Sequence, residues 1–145
     1  AKNEKYSYLG HNLGGEGNAG SKIEDSKFKE TKVKCIRLDD YASEVKVKNI
    51  DLIKIDTEGT EDQILRSATA LISKYEPIIV CETLFNTIEE ELEAIMKPLN
   101  YRFFNYSDDG LHEVDSLHRE EDNGVRDCFF VPESKMGLIE EYVVG

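Results

Sequence analysis

The chain has 145 residues, 39% of them apolar, which is enough for one domain with a substantial core. Its formal charge of −12 is uneven, with 11 Lys+Arg against 9 Asp+Glu over residues 1–54 and 7 against 21 over 55–145. So acidic a surface repels phosphate backbones and argues against nucleic acid as a main partner. The longest clean apolar run, Ile78 to Cys81, falls far short of the ~20 residues that span a membrane.

Residues 1–32 read as a flexible lead-in, with Gly10, Gly14, Gly15, Gly17 and Gly20 and one short strand near Tyr6 to Leu9. Two phosphate-binding patterns occur here by letter only. Gly15-x-Gly17-x-x-Gly20 lacks the hydrophobic strand that a dinucleotide fingerprint needs before it. Gly20-Ser21-Lys22 reverses the Lys–Ser order of a P-loop, so the lysine is misplaced for the phosphates. The start at Ala1 reads as a cut or processed chain.

The main domain is expected over 33–145. Val33 to Leu38 reads as a strand closed by Asp39-Asp40-Tyr41, and Val45 to Asn49 as a connection. Leu52 to Asp56 is a buried strand that runs into a knot of acids around a glycine: Asp56, Glu58, Gly59, Glu61 and Asp62. In open parallel sheets ligands sit outside the carboxyl ends of the strands, where these acids lie. The plainer reading is that Asp56 and Glu58 decorate a helix N-terminus, where negative charge is favoured. A helix is expected from Thr60 to Lys74, with Thr60 and Gln63 as a capping box and Ile64, Leu65, Ala68, Leu71 and Ile72 on its apolar stripe.

Ile78 to Glu82 is an unbroken apolar strand of the kind buried on both faces of a sheet, and it too ends in an acid. Strand, helix, strand makes a right-handed βαβ unit. A second helix opens at Thr87, capped with Glu90, and its run Glu89-Glu90-Glu91-Glu93 is expected to be a solvated face. Pro98 should disrupt its last turn. Tyr101 to Tyr106 and Leu111 to Val114 form a hairpin about Asp108-Asp109-Gly110, Asp115 to Arg126 is a charged loop, Cys128 to Val131 is a last strand, and Glu133 to Val144 is a weak helix or tail. Cys35, Cys81 and Cys128 show no C-x-x-C spacing and sit in apolar runs, which suits buried free thiols in a reducing, cytoplasmic setting. His11, His112 and His118 lack metal-pair spacing and read as solvated.

The nonamer Ile53-Lys54-Ile55-Asp56-Thr57-Glu58-Gly59-Thr60-Glu61 resembles the I-K-I-D-V-E-G-x-E motif of the FkbM-family S-adenosylmethionine-dependent methyltransferases. Ile36-Arg37-Leu38-Asp39-Asp40-Tyr41 is similar to that family's T-L-D-D-Y, Pro77 to Glu82 to its P-x-I-x-x-E strand, and Asp127 to Pro132 to its D-x-x-F-x-P ending. The resemblance covers about residues 33–132 and implies the carboxyl-terminal half of such an enzyme. The implied fold is α/β, a partial Rossmann-like (class I methyltransferase) mixed sheet of parallel strands with a carboxyl-terminal antiparallel hairpin.

The implied reaction is O-methyl transfer from S-adenosylmethionine to a hydroxyl of a sugar, glycolipid or natural product. Asp56 and Glu58 would be the catalytic pair, and Glu82 and His118 acceptor contacts. Lys54 points to the other side of the pleat from Ile53 and Ile55 and reads as an ion-pair partner. The family's D-x-G-A-N-x-G cofactor motif is missing from residues 1–32, so the chain reads as a fragment that binds cofactor poorly by itself. Asp56, Glu58 and Glu82 could also take Mg²⁺ as oxygen ligands. Two further readings stay open: a non-catalytic acidic interaction domain and a carboxylate metal-binding module. With its amino-terminal strands gone, the sheet would expose an edge able to pair two copies.

Overall fold

The computed structural model describes residues 7–9, 30–32, 36–57 and 59–145. The first two segments are strands β1 (Ser7–Leu9) and β2 (Glu30–Lys32), paired antiparallel. The rest is an α/β arrangement around a five-stranded mixed sheet. In chain order it comprises α1 (Leu38–Glu44), β3 (Leu52–Ile55), α2 (Glu61–Arg66), α3 (Thr69–Tyr75), β4 (Ile78–Glu82), α4 (Glu89–Met96), β5 (Tyr101–Ser107), β6 (Gly110–Val114) and β7 (Asp127–Pro132). The strand order is β3-β4-β7-β5-β6. β3 and β4 run parallel, and β7 inserts antiparallel between β4 and β5. No helix among the described residues is long and apolar enough to cross a membrane.

Alternation along the strands sorts side chains onto two faces. Ile55, Ile79, Cys81, Phe103, Cys128 and Phe130 point to one face, where Leu65, Leu71, Ile72, Leu92, Ile95 and Met96 of the helices close over them. Phe103 and Phe130 meet edge to face, with ring centroids 5.3 Å apart. Burying a side chain such as Phe130 contributes about 1.5–3 kcal/mol. The opposite face has a smaller core of Phe104, Leu111, Val131 and Ile139, under the 3₁₀ turns Glu133–Leu138 and Glu140–Tyr142. Those turns cover the β5–β6–β7 side. Leu52, on the β3 side, is left exposed.

Gly110 opens β6 with φ +139°, and a Cβ there would meet the Tyr142 carbonyl oxygen at 2.6 Å. The tail can lie against the hairpin because this residue has no side chain. The Val144 N–H then donates to Leu111 O at 2.9 Å and ties the tail down.

Three sequence expectations change. The described part of 33–38 is not a strand: Ile36 and Arg37 lie outside any ladder, and Leu38 begins α1. Val33 to Cys35 lie outside the described residues. Asp39, expected to close a strand, instead caps α3, accepting N–H bonds from Ala70 (3.2 Å) and Leu71 (2.9 Å) on its two carboxylate oxygens.

The same contact explains why the helix expected over Thr60 to Lys74 is two helices. In a continuous helix the Ser67 carbonyl would accept from Leu71; here it accepts from the Asp39 N–H at 3.2 Å, and Leu71 has turned to the Asp39 side chain. Ser67 Oγ donates to the Ile64 carbonyl at 2.8 Å, a back-bond that competes with the helical ladder.

Neither expected capping box forms. Thr60 Oγ1 bonds to Thr57 Oγ1 at 3.0 Å, and α4 begins at Glu89, whose carboxylate takes the Thr87 N–H at 3.1 Å in place of Glu90. The strands at 78–82, 101–107, 110–114 and 127–132 stand where periodicity placed them. Pro98 lies in the 3₁₀ turn Lys97–Leu99 that closes α4.

Candidate functional site

Register assembles a charged rim at one end of the sheet. Ile55 pairs with Cys81 across the parallel β3–β4 ladder, which sets Asp56, the next residue, beside Glu82 at the carboxyl ends of both strands. Glu82 is in turn the register partner of Asp127 on β7. Carboxylates from three adjacent strands thus share one edge and one face.

Lys54 lies two residues before Asp56 on that same face. Its side chain crosses over β4, and its amine donates to Asp127 Oδ1 and stands 3.7 Å from Asp56 Oδ2. The Asp127 bond, backed by the charges of Asp56 and Glu82, raises the Lys54 pKa, so the amine stays an ammonium. Side chains of Lys54, Asp56 and Asp127 remain about half exposed at 46, 53 and 41%, where a reactant could reach them. Glu82 is half-buried.

The turn after β3 is held by an acid that the sequence marked only as part of a motif. Glu61, 2% exposed, accepts the Thr57 N–H at 2.8 Å, the Thr57 hydroxyl at 3.0 Å and the Gly59 N–H at 3.0 Å. Gly59 has φ +95°, which a side-chain-bearing residue resists. Glu58 itself lies outside the described residues, and the residues on either side of it are both tied to Glu61.

A second set of charges fixes the 115–126 loop next to the end of β4. Arg119, 7% exposed, pairs with Glu89, 4% exposed, at 3.1 Å. It also donates to the carbonyls of Thr83 (2.8 Å) and Val125 (2.7 Å), and its guanidinium lies 5.7 Å from the Phe85 ring centre. Glu93 accepts from the Ser116 hydroxyl and the Leu117 N–H and pairs with Lys97 at 2.6 Å. This corrects the expectation for the acidic run of α4. Glu90 and Glu91 are solvated, whereas Glu89 and Glu93 are turned toward the loop. Thr83, buried just after Glu82, donates its hydroxyl to Cys128 Sγ at 2.7 Å and its N–H to Arg126 O at 2.7 Å.

His118 rides on this loop, exposed, with its main-chain N–H on Ser116 Oγ at 3.1 Å. No contact among the described residues joins it to Asp56 or Asp127. The structure therefore brings together Asp56 and Glu82, adds Lys54 and Asp127, and leaves His118 apart.

His112 and Ser107 both bond to Asp109 Oδ1, at 2.9 and 2.7 Å. Serine and histidine there share an acceptor instead of bonding to each other, so this trio cannot activate a nucleophile. Among the described residues no three His, Cys, Asp or Glu side chains are grouped to hold a metal ion. Two surface clefts of about 470 and 490 Å³ are lined, one by residues of α1 and α3, the other by Arg119 to Asn123, and neither lining includes Lys54, Asp56, Glu82 or Asp127.

No curated protein and no solved structure matches the chain. The methyltransferase FkbM domain model matches residues 2–106, taking in the Asp56 turn, β4 with Glu82, and most of β5. Asp127 and the Arg119 loop lie beyond the matched span. The chain belongs to the methyltransferase FkbM domain family.

Proposed function

We propose that this chain forms the acceptor side of an S-adenosylmethionine-dependent O-methyltransferase of Rossmann-like, class I architecture. The acceptor is a hydroxyl on a sugar, glycolipid or natural product. The observation that carries the reading is Asp56, half exposed at the carboxyl end of a parallel strand and backed by the Lys54 ammonium. A general base needs access to the hydroxyl and a fixed direction. The half-exposed carboxylate has the first, and the ion pair of Lys54 with Asp56 and Asp127 supports the second.

The cofactor supplies an electrophilic methyl group on a sulfonium cation. The rim's donor set, three carboxylates against one ammonium, suits that charge. The D-x-G-A-N-type motif that would hold the nucleoside is proposed to belong to sequence upstream of Ala1.

In this scheme Asp56 accepts the proton of the acceptor hydroxyl, and Glu58 is the second catalytic carboxylate. Glu82 and Asp127 orient the acceptor, and His118 makes a peripheral contact to it from the loop. Alignment of the two reactants accounts for much of the rate, since positioning alone can supply about 7–11 kcal/mol. A role for Mg²⁺ is tested in the same assay by adding chelator.

The decisive experiment is label transfer from S-adenosylmethionine by the full-length protein to a panel of glycosides and hydroxylated natural products. Asp56→Asn should lower the rate about 10²- to 10⁴-fold. Undiminished transfer by that variant would overturn the assignment.

Two further readings accompany this one. Among the described residues β3 is the terminal strand of its sheet, an edge that a second copy could pair with. A strictly monomeric chain by light scattering at high concentration would exclude such a dimer. Cys81 and Cys128 are register partners, both buried free thiols, which supports work in a reducing cytoplasm.

A further inference from the structure

The cleft between α1 and α3 shares no residue with the rim, and its charge runs against that of the acidic chain around it. Its volume is about 470 Å³, and its lining sets Lys46 and Lys74 against one carboxylate, Asp39. Both oxygens of that carboxylate are taken by the N–H groups of Ala70 and Leu71. Elsewhere Lys54, Lys97 and Lys135 each pair with an acid. Among the described residues Lys46 and Lys74 have no such partner. The Lys74 amine lies instead over the Tyr75 ring, 4.7 Å from its centre.

Contacts at both ends fix the walls of the cleft. Asp39 ties α1 to the start of α3, and the Tyr75 hydroxyl donates to the Val47 carbonyl at 2.7 Å. Walls already pinned in this way have little freedom to lose when a ligand enters. Lys46 has φ +53°, in the left-handed region just past a helix where glycine is the usual residue. The helix dipole favours a lysine in the last turn of α3, which accounts for Lys74. It does not account for a second lysine at a strained backbone position on the same lining.

The lining selects among ligand classes. Two ammonium groups repel cations. A bare inorganic anion would meet two exposed lysines and little else, and exposed ion pairs are weak in water. A neutral apolar molecule would gain the floor of Val47, Leu71 and Tyr75 and leave both charges unmet. An anionic head joined to an apolar body uses charge and floor together. The volume of about 470 Å³ suits such a molecule, since small-ligand sites run from about 300 to 1,000 Å³.

We propose that this cleft binds a small organic anion, with its charged group between Lys46 and Lys74 and its apolar body on Val47, Leu71 and Tyr75. The site is separate from the rim, so it stands or falls independently of methyl transfer at Asp56.

The test is an NMR titration of the 145-residue chain. Phenyl phosphate is the probe, inorganic phosphate the head alone and benzyl alcohol the body alone. Phenyl phosphate should shift the resonances of Ala42, Ala70 and Leu71 and bind more tightly than either control. Lys46→Gln and Lys74→Gln should each weaken it roughly 2- to 5-fold, the scale of one exposed ion pair. Lys48→Gln, which changes an exposed lysine outside the lining, should leave the affinity as it is. Added salt should weaken binding of the wild type.

The salt dependence and the two controls need no variant, so they decide the matter even where a substitution disturbs the fold. No shift at Ala42, Ala70 or Leu71 would overturn the site. So would equal affinity in the Lys46→Gln, Lys74→Gln double variant, or binding of phenyl phosphate no tighter than that of inorganic phosphate or benzyl alcohol.

Discussion

Two sets of acids lie within a few residues of each other and do different work. Glu61, Glu89 and Glu93 are turned inward, and their oxygens are engaged by main-chain N–H groups, hydroxyls, Arg119 or Lys97. Asp56 and Asp127 stand about half exposed around a single lysine. A buried carboxylate costs several kcal/mol to desolvate and persists only when its partners satisfy it, so the first set is architecture. An exposed pair contributes at most about 1 kcal/mol to stability, so the second set is free to be selected for chemistry. The first set also positions the second, since Glu61 holds the turn after Asp56 and Arg119 braces the carbonyl that follows Glu82.

This contrast can be broken by substitution. The largest effect should come from Arg119→Ala, which leaves Glu89 charged and buried and should cost about 3–5 kcal/mol in urea unfolding. Glu89→Leu with Arg119→Met should recover most of that loss. A cost of under about 1 kcal/mol for Arg119→Ala would place this pair with the surface ones.

Next is Glu61→Ala, which strands the Thr57 and Gly59 N–H groups and should cost about 1–3 kcal/mol. Hydrogen exchange at those two amides should accelerate most, and unchanged protection there would show that the turn has other support.

Acid should then separate the sets. Burial pushes the Glu93 carboxyl up, but bonds from Lys97, Ser116 and the Leu117 N–H together outweigh it and hold the group below its ordinary 4.5. A depressed carboxylate stabilises the fold above its unfolded pKa, and that contribution is lost as pH falls through the folded value. Melting temperature should therefore drop as pH falls below about 4.5, and Glu93→Gln should flatten that drop.

The smallest effect belongs to the rim. Asp56→Asn should shift stability by no more than about 0.5 kcal/mol while abolishing most methyl transfer.

How far the sequence could be read depended on the distance between partners. β4 was plain because four consecutive apolar residues, Ile78 to Cys81, run up to a terminal acid, the pattern of an inner strand. Asp56 and Glu82 were identifiable because parallel pairing follows from the βαβ order. Glu89 and Glu93 looked like solvated members of an acidic run, since Arg119 lies 30 residues beyond Glu89 and nothing local announces it. The break at Ser67 was hidden likewise, because Asp39 acts from about 30 residues upstream while the apolar stripe runs through unbroken. Lys54 was placed on the correct side of the pleat, but its partner on β7 is 73 residues away.

By itself, then, the sequence determined the strands of the five-stranded sheet, the family motif and the end of the sheet at which the acids collect, because each is written in neighbouring residues. Only the tertiary structure decided which acids are satisfied inside and which stand half exposed at the rim. Burial and pairing depend on residues brought close by folding, and a charge looks the same in the sequence whether or not a distant arginine comes to meet it.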